Sequence, residues 1–95
     1  MKRESQEKYL QLNERIIAEN ERSGFVPPCR ARPKLFFPED WFDYYERRAV
    51  EIVAKDLCGS CMFENECLSY ALSARETAGI WGGLTAKERA HLLRR

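Results

Sequence analysis

The residues with the most chemistry to offer are four cysteines: Cys29, Cys58, Cys61 and Cys67. Cys58-Gly59-Ser60-Cys61 has the CxxC spacing that lets two thiolates reach one metal centre from a single turn. Cys67 follows after five intervening residues, and 28 residues intervene between Cys29 and Cys58. Three ligands are local and one is remote, so a shared centre would tie the Cys29 loop to the segment that carries Cys67. The chemistry this points to first is a four-cysteine iron–sulfur cluster. Structural zinc is the serious rival. Four-cysteine zinc sites usually pair two CxxC knuckles, and only one is present, which favours iron–sulfur by a small margin. Four unliganded buried thiols would make the shared Gly-Ser turn an accident. Two structural disulfides disagree with a reducing compartment. A thioredoxin-like couple at Cys58 and Cys61 needs a strand leading into a helix, and no strand pattern precedes it.

The elements that must position these thiols are helical. Over residues 5–23, Tyr9, Leu12 and Ile16 recur at helical spacing with Leu10 and Ile17, Ser5 stands as a cap, and Gly24 suits the left-handed position after the end. Pro27, Pro28, Pro33 and Pro38 exclude a regular helix from 24–38, the loop that carries Cys29. A second helix is expected from about Glu39 to Leu57, capped by Asp40, with Trp41, Tyr45, Ala49, Ile52 and Val53 as its apolar face; it delivers Cys58. A third, 65–74, carries Cys67, Leu68, Ala71 and Leu72. Its N-terminal amides favour thiolates, against the nearby Glu64 and Glu66. Gly79-Ile80-Trp81-Gly82-Gly83 reads as a turn, and Thr85-Ala86-Lys87-Glu88 as a capping box opening a last helix. Strand signals are weak throughout. The expected fold is all-α, a small domain of about four helices wrapped around the four-cysteine cluster.

Composition sets the frame. Ninety-five residues make one small domain, which a metal staple would help to fold. With 44% hydrophobic residues the chain is globular, and at net charge +1 no overall basicity announces nucleic acid. No apolar region follows Met1-Lys2-Arg3, and no run approaches the roughly 18–20 residues needed to span a bilayer. The expected location is the cytoplasm. Trp81, among three glycines, reads either as a core residue closing over the site or as an interface anchor. Phe36 and Phe37 are adjacent and cannot easily both enter one core. Lys87, Arg89, His91, Arg94 and Arg95 form a basic end that suits phosphate contact or a solvated helix terminus. His91 reads as a surface residue, since four cysteines already complete a site.

In order, Cys29, Leu35-Phe36-Phe37-Pro38, Cys58-Gly59-Ser60-Cys61, Cys67-Leu68-Ser69-Tyr70-Ala71-Leu72, Gly79-Ile80-Trp81-Gly82-Gly83 and Glu88-Arg89 resemble the WhiB-like (Wbl) family of actinobacteria and their phages. The resemblance runs from Cys29 to Arg95. It implies one [4Fe–4S] cluster per chain on the four cysteines, responsive to oxygen and nitric oxide. It implies a non-enzymatic transcription regulator that binds the C-terminal domain of the primary sigma factor. Phe36, Phe37 and Trp81 would make that contact, and Lys87, Arg89, Arg94 and Arg95 would touch DNA. Two departures stand out. Phe25 is the nearest aromatic before the first cysteine, where members often carry tryptophan, and the basic tail is nearly absent, so DNA binding by the isolated protein is expected to be poor. The chain divides into a helix without assigned role (1–24) and the cluster-binding domain (25–95). Two other function classes stay open: a protein disulfide reductase acting through cluster-free cysteines, and a zinc-stabilised adaptor. Colour and metal content of anaerobic protein discriminate among them.

Overall fold

The structure, a computed structural model, describes residues 2–94, and every regular element among them is a helix. Helix α1 spans Lys2–Ser23. It begins ahead of Ser5, which is buried inside it rather than capping it. Gly24 ends it as expected, at φ +80°, with its N–H donating to the Asn20 carbonyl at 2.8 Å.

The proline-rich segment is not a plain loop. It forms the one-turn helix α2 (Pro28–Ala31), a 3-10 turn (Pro33–Phe36) and the one-turn helix α3 (Pro38–Trp41). Proline blocks the interior of a helix but not its first turn, where the missing N–H would be unpaired anyway. Each proline here therefore opens a turn, and the next one stops it from growing.

The second expected helix is split. Phe42 is extended (φ −128°, ψ 148°), and α4 (Tyr44–Gly59) restarts behind it. Asp43, not Asp40, is the cap: its carboxylate accepts from the Glu46 N–H at 2.9 Å, and the Glu46 carboxylate accepts from the Asp43 N–H at 3.1 Å. The restart changes which side faces inward. Tyr45 and Ile52, expected on the buried face, are 88% and 63% exposed, and α4 buries Ala54 and Cys58 instead.

Helix α5 (Glu64–Ala74) ends at Arg75 in the left-handed region (φ 54°). Helix α6 (Ala86–Leu93) starts with the expected capping box, Thr85 and Glu88 exchanging two hydrogen bonds. Between them, Trp81 and Leu84 pair their backbones at 3.1 and 3.3 Å across the glycine turn.

Two small cores result. Phe36, Ala54, Cys58 and Ile80 form one, with Cys29, Leu35, Phe37 and Leu57 around it. Leu12, Ile16 and Phe63 form the other, with Phe25, Cys61 and Cys67 around it. The cysteines are shared between the two. Helix α1 lies on α5, joined by an Arg15–Glu66 ion pair, a Lys8–Ser69 hydrogen bond of 3.1 Å and a Tyr9–Tyr70 ring contact of 5.2 Å. No helix among the described residues is long and apolar enough to cross a membrane.

Candidate metal centre

The four thiols reach one place from separate segments. Cys29 comes from α2, Cys58 from the end of α4, Cys61 from the turn that follows, and Cys67 from the first turns of α5. All four line a single cavity of about 300 Å³. The Cys61 N–H donates to the Cys58 carbonyl at 3.0 Å and closes the CxxC turn. The Phe63 N–H donates to Cys61 Sγ at 3.4 Å, and the nearby Gly83 backbone favours the charged form of Cys58, against the effect of burial. Much of the remaining wall is apolar, including Leu12, Ile16, Pro27, Phe36 and Ile80.

This environment resists free thiolates. Burial pushes the Cys29 and Cys58 thiols up, and pushes Cys67 up to about 12. The neighbouring cysteines add to this at all three positions. Arg30 opposes the rise at Cys29, while Glu64 adds to it at Cys58 and Glu66 at Cys67. Thiolates brought together here need a cationic centre, and a coordinating metal deprotonates such thiols outright.

The donor set, all sulfur, suits zinc or an iron–sulfur cluster. Among the described residues, no three cysteine, histidine or acidic side chains converge tightly enough to hold one ion. All four cysteines nonetheless border one cavity of about 300 Å³.

The two aromatic segments meet at this cavity. The Ile80 N–H donates to the Phe36 carbonyl at 2.7 Å, and a side chain on Gly79 would strike the Phe37 ring at 2.7 Å. Phe37 and Trp81 are half-buried and line the cavity. Trp81 donates its indole N–H to the Ala78 carbonyl at 3.2 Å and rests on Tyr70 with ring centroids 5.1 Å apart. Phe36 departs from the expectation of an exposed anchor. It is 1% exposed and forms the centre of one core, so it has no free face for a partner.

Arg89 also departs from expectation. Lys87, His91 and Arg94 are exposed, and Arg95 lies outside the described residues. Arg89, however, is 1% exposed. Its guanidinium donates to the carbonyls of Gly79 (2.9 Å), Leu84 (2.7 Å), Glu76 (3.1 Å) and Ala78 (3.0 Å). It cannot hold a phosphate while it locks the turn. The signal was present in the sequence: the non-helical stretch 75–84 presents carbonyls that need donors, and arginine brings five.

Two further contributions were not read from the sequence. A side chain on Gly82, at φ +60°, would strike Leu68 Cβ at 2.5 Å and the Glu64 carbonyl at 2.7 Å, so the turn lies directly on α5. Tyr9, Leu12, Asn13 and Ile16 of α1 also line the cavity.

Comparison with known proteins identifies a family. The family model described as transcription factor WhiB matches residues 27–92. "Transcriptional regulator WhiB2" of Mycobacterium tuberculosis is 44% identical over 62 residues, 65% of this chain and 62% of that protein. "Transcriptional regulator WhiD" of Streptomyces coelicolor is 43% identical over 61 residues, 64% of this chain and 54% of its own length. "Redox-responsive transcriptional regulator WhiB3" of Mycolicibacterium smegmatis is 43% identical over 61 residues, 64% of each chain. The chain thus spans 54–64% of the length of these relatives.

Proposed function

This chain belongs to the WhiB family of transcription factors, and we propose that it regulates transcription through a [4Fe–4S] cluster held by Cys29, Cys58, Cys61 and Cys67. The observation that carries this reading is the single cavity bordered by all four thiols, roomy for one ion. When bound, the cluster supplies iron that reacts with oxygen or nitric oxide. The chain's own residues set the conditions. The Phe63 N–H and the Gly83 backbone stabilise charge on the sulfurs, as outer-shell hydrogen bonds do in metal sites. Leu12, Ile16, Phe36 and Ile80 keep water away.

The partner is the C-terminal domain of the primary sigma factor. Phe37 and Trp81 at the cavity rim provide the aromatic contact, with Phe36 supporting them from beneath. Lys87 and Arg94 are exposed for phosphate contact, which two cations make weak and salt-dependent. The names of the relatives support a regulator, one of them redox-responsive.

Anaerobic purification followed by iron, sulfide and zinc analysis tests the cofactor. About four iron and four sulfide per chain is expected, falling sharply in each of Cys29→Ser, Cys58→Ser, Cys61→Ser and Cys67→Ser. Colourless protein with one zinc would establish the adaptor instead, and turnover of disulfides by cluster-free protein the reductase. For the partner, Trp81→Ala should weaken binding of the sigma domain about thirtyfold, from about 2 kcal/mol for an aromatic anchor, while the visible spectrum persists. Loss of colour and binding together would make Trp81 a structural cover.

A further inference from the structure

One wall of the cavity lies outside the family match. Tyr9, Leu12, Asn13 and Ile16 line it from α1, ahead of residues 27–92. Leu12 and Ile16 are buried against Phe63, with Cys61 and Cys67 packed on the same cluster. Beyond these, α1 is tied by the Tyr9–Tyr70 ring contact, by Arg15 lying over the Phe63 ring at 5.7 Å, and by polar pairs open to water. Arg15 and Glu66 pair with side chains 61% and 32% exposed, Lys8 donates to Ser69 at an exposed site, and Arg30 donates to Asn13 at another. Exposed ion pairs of this kind contribute little. The opposite wall is built differently: Phe36, Ala54 and Ile80 are buried, and Arg89 locks the turn beside them. Local opening follows the elements held by the fewest buried contacts, and α1 contributes two buried aliphatics, Leu12 and Ile16, to the site.

We infer that α1 is a detachable wall of the four-cysteine site, and that its undocking from α5 sets how fast small molecules reach the sulfurs of Cys61 and Cys67. This deepens the reading above and rests on it for the cluster. The family-matched part carries the thiols; α1 controls the approach to them. A member without such a helix would leave that side of Phe63 and Cys67 open to solvent.

Two rates on the 95-residue chain test the wall. One is loss of visible absorbance when anaerobic, cluster-loaded protein meets a ferrous-iron chelator. The other is alkylation of the reduced, cluster-free chain by iodoacetamide, resolved for Cys61 and Cys67 by mass spectrometry. Arg15→Glu replaces the ion pair with two carboxylates and should raise both rates about threefold to tenfold. Adding Glu66→Arg should restore wild-type rates. Ile16→Ala should raise them about thirtyfold, since truncating a buried isoleucine weakens its contacts by more than a surface pair contributes. Thr85→Ala removes the α6 cap far from α1 and should change neither rate. Unchanged rates in Arg15→Glu and Ile16→Ala, or equal acceleration by Thr85→Ala, overturn the wall. A chain that takes up no cluster defeats the cofactor reading, and the alkylation rates still decide for or against α1.

Discussion

On the α6 side of the cavity, backbone lies against backbone. On the α1 side, side chains lie against side chains. The glycine turn sits on α5 so closely that Gly82 leaves no room for a methyl group, and Arg89 ties four of the surrounding carbonyls together. Helix α1 meets the same α5 through two buried aliphatics, one tyrosine pair and exposed polar ties. Close backbone contact has one geometry and fails abruptly. Side-chain contact can be weakened by degrees. The comparison teaches that one small site can have a fixed half and an adjustable half.

Three substitutions grade that contrast, read as urea midpoints of anaerobic, reduced protein. Gly82→Ala should have the largest effect, about 3 kcal/mol or more. A Cβ would strike backbone atoms of α5, and the left-handed φ adds strain for any residue but glycine. Arg89→Met should follow at about 2–3 kcal/mol, because buried carbonyls of the turn lose their donors. The Trp81–Leu84 pairing should loosen with it, visible as faster amide exchange at Ile80 and Trp81. Leu12→Ala should cost about 2 kcal/mol, at the low end for a buried leucine, since α1 can shift to fill the space. A larger cost for Leu12→Ala than for Gly82→Ala would reverse the assignment of fixed and adjustable halves.

What could be read from sequence was local. The CxxC turn, the Thr85–Glu88 box and the left-handed Gly24 each depend on residues a few positions apart, and each is found in the structure. Helix α4 differs from its expected form because Asp43, three residues after Asp40, completes a capping box with Glu46. A cap at Asp40 runs the helix through Phe42, whereas the structure restarts it at Asp43 and turns a different side inward. Phe36 and Phe37 looked equivalent, but their separation into core and rim depends on Ile80, far along the chain. Arg89 looked like a surface cation because charge was counted and the carbonyls of 75–84 were not. The apolar stripe of α1 was legible, while the thing it covers was not, since spacing names a face and never its partner.

The capping boxes have a kinetic consequence. Asp43–Glu46 and Thr85–Glu88 each pair two backbone donors of their helix start within four residues, so the starts of α4 and α6 are specified locally. Such helices form in about a microsecond or less. The contacts that close the cavity are distant in sequence: Ile80 to Phe36, Arg15 to Glu66 and the gathering of Cys29 with Cys58. Long loops must close before those contacts reward the chain, which makes them late events. The order of assembly is therefore helices first and cavity last. In a refolding time course, helical circular dichroism should return before the four cysteines become protected from alkylating reagents.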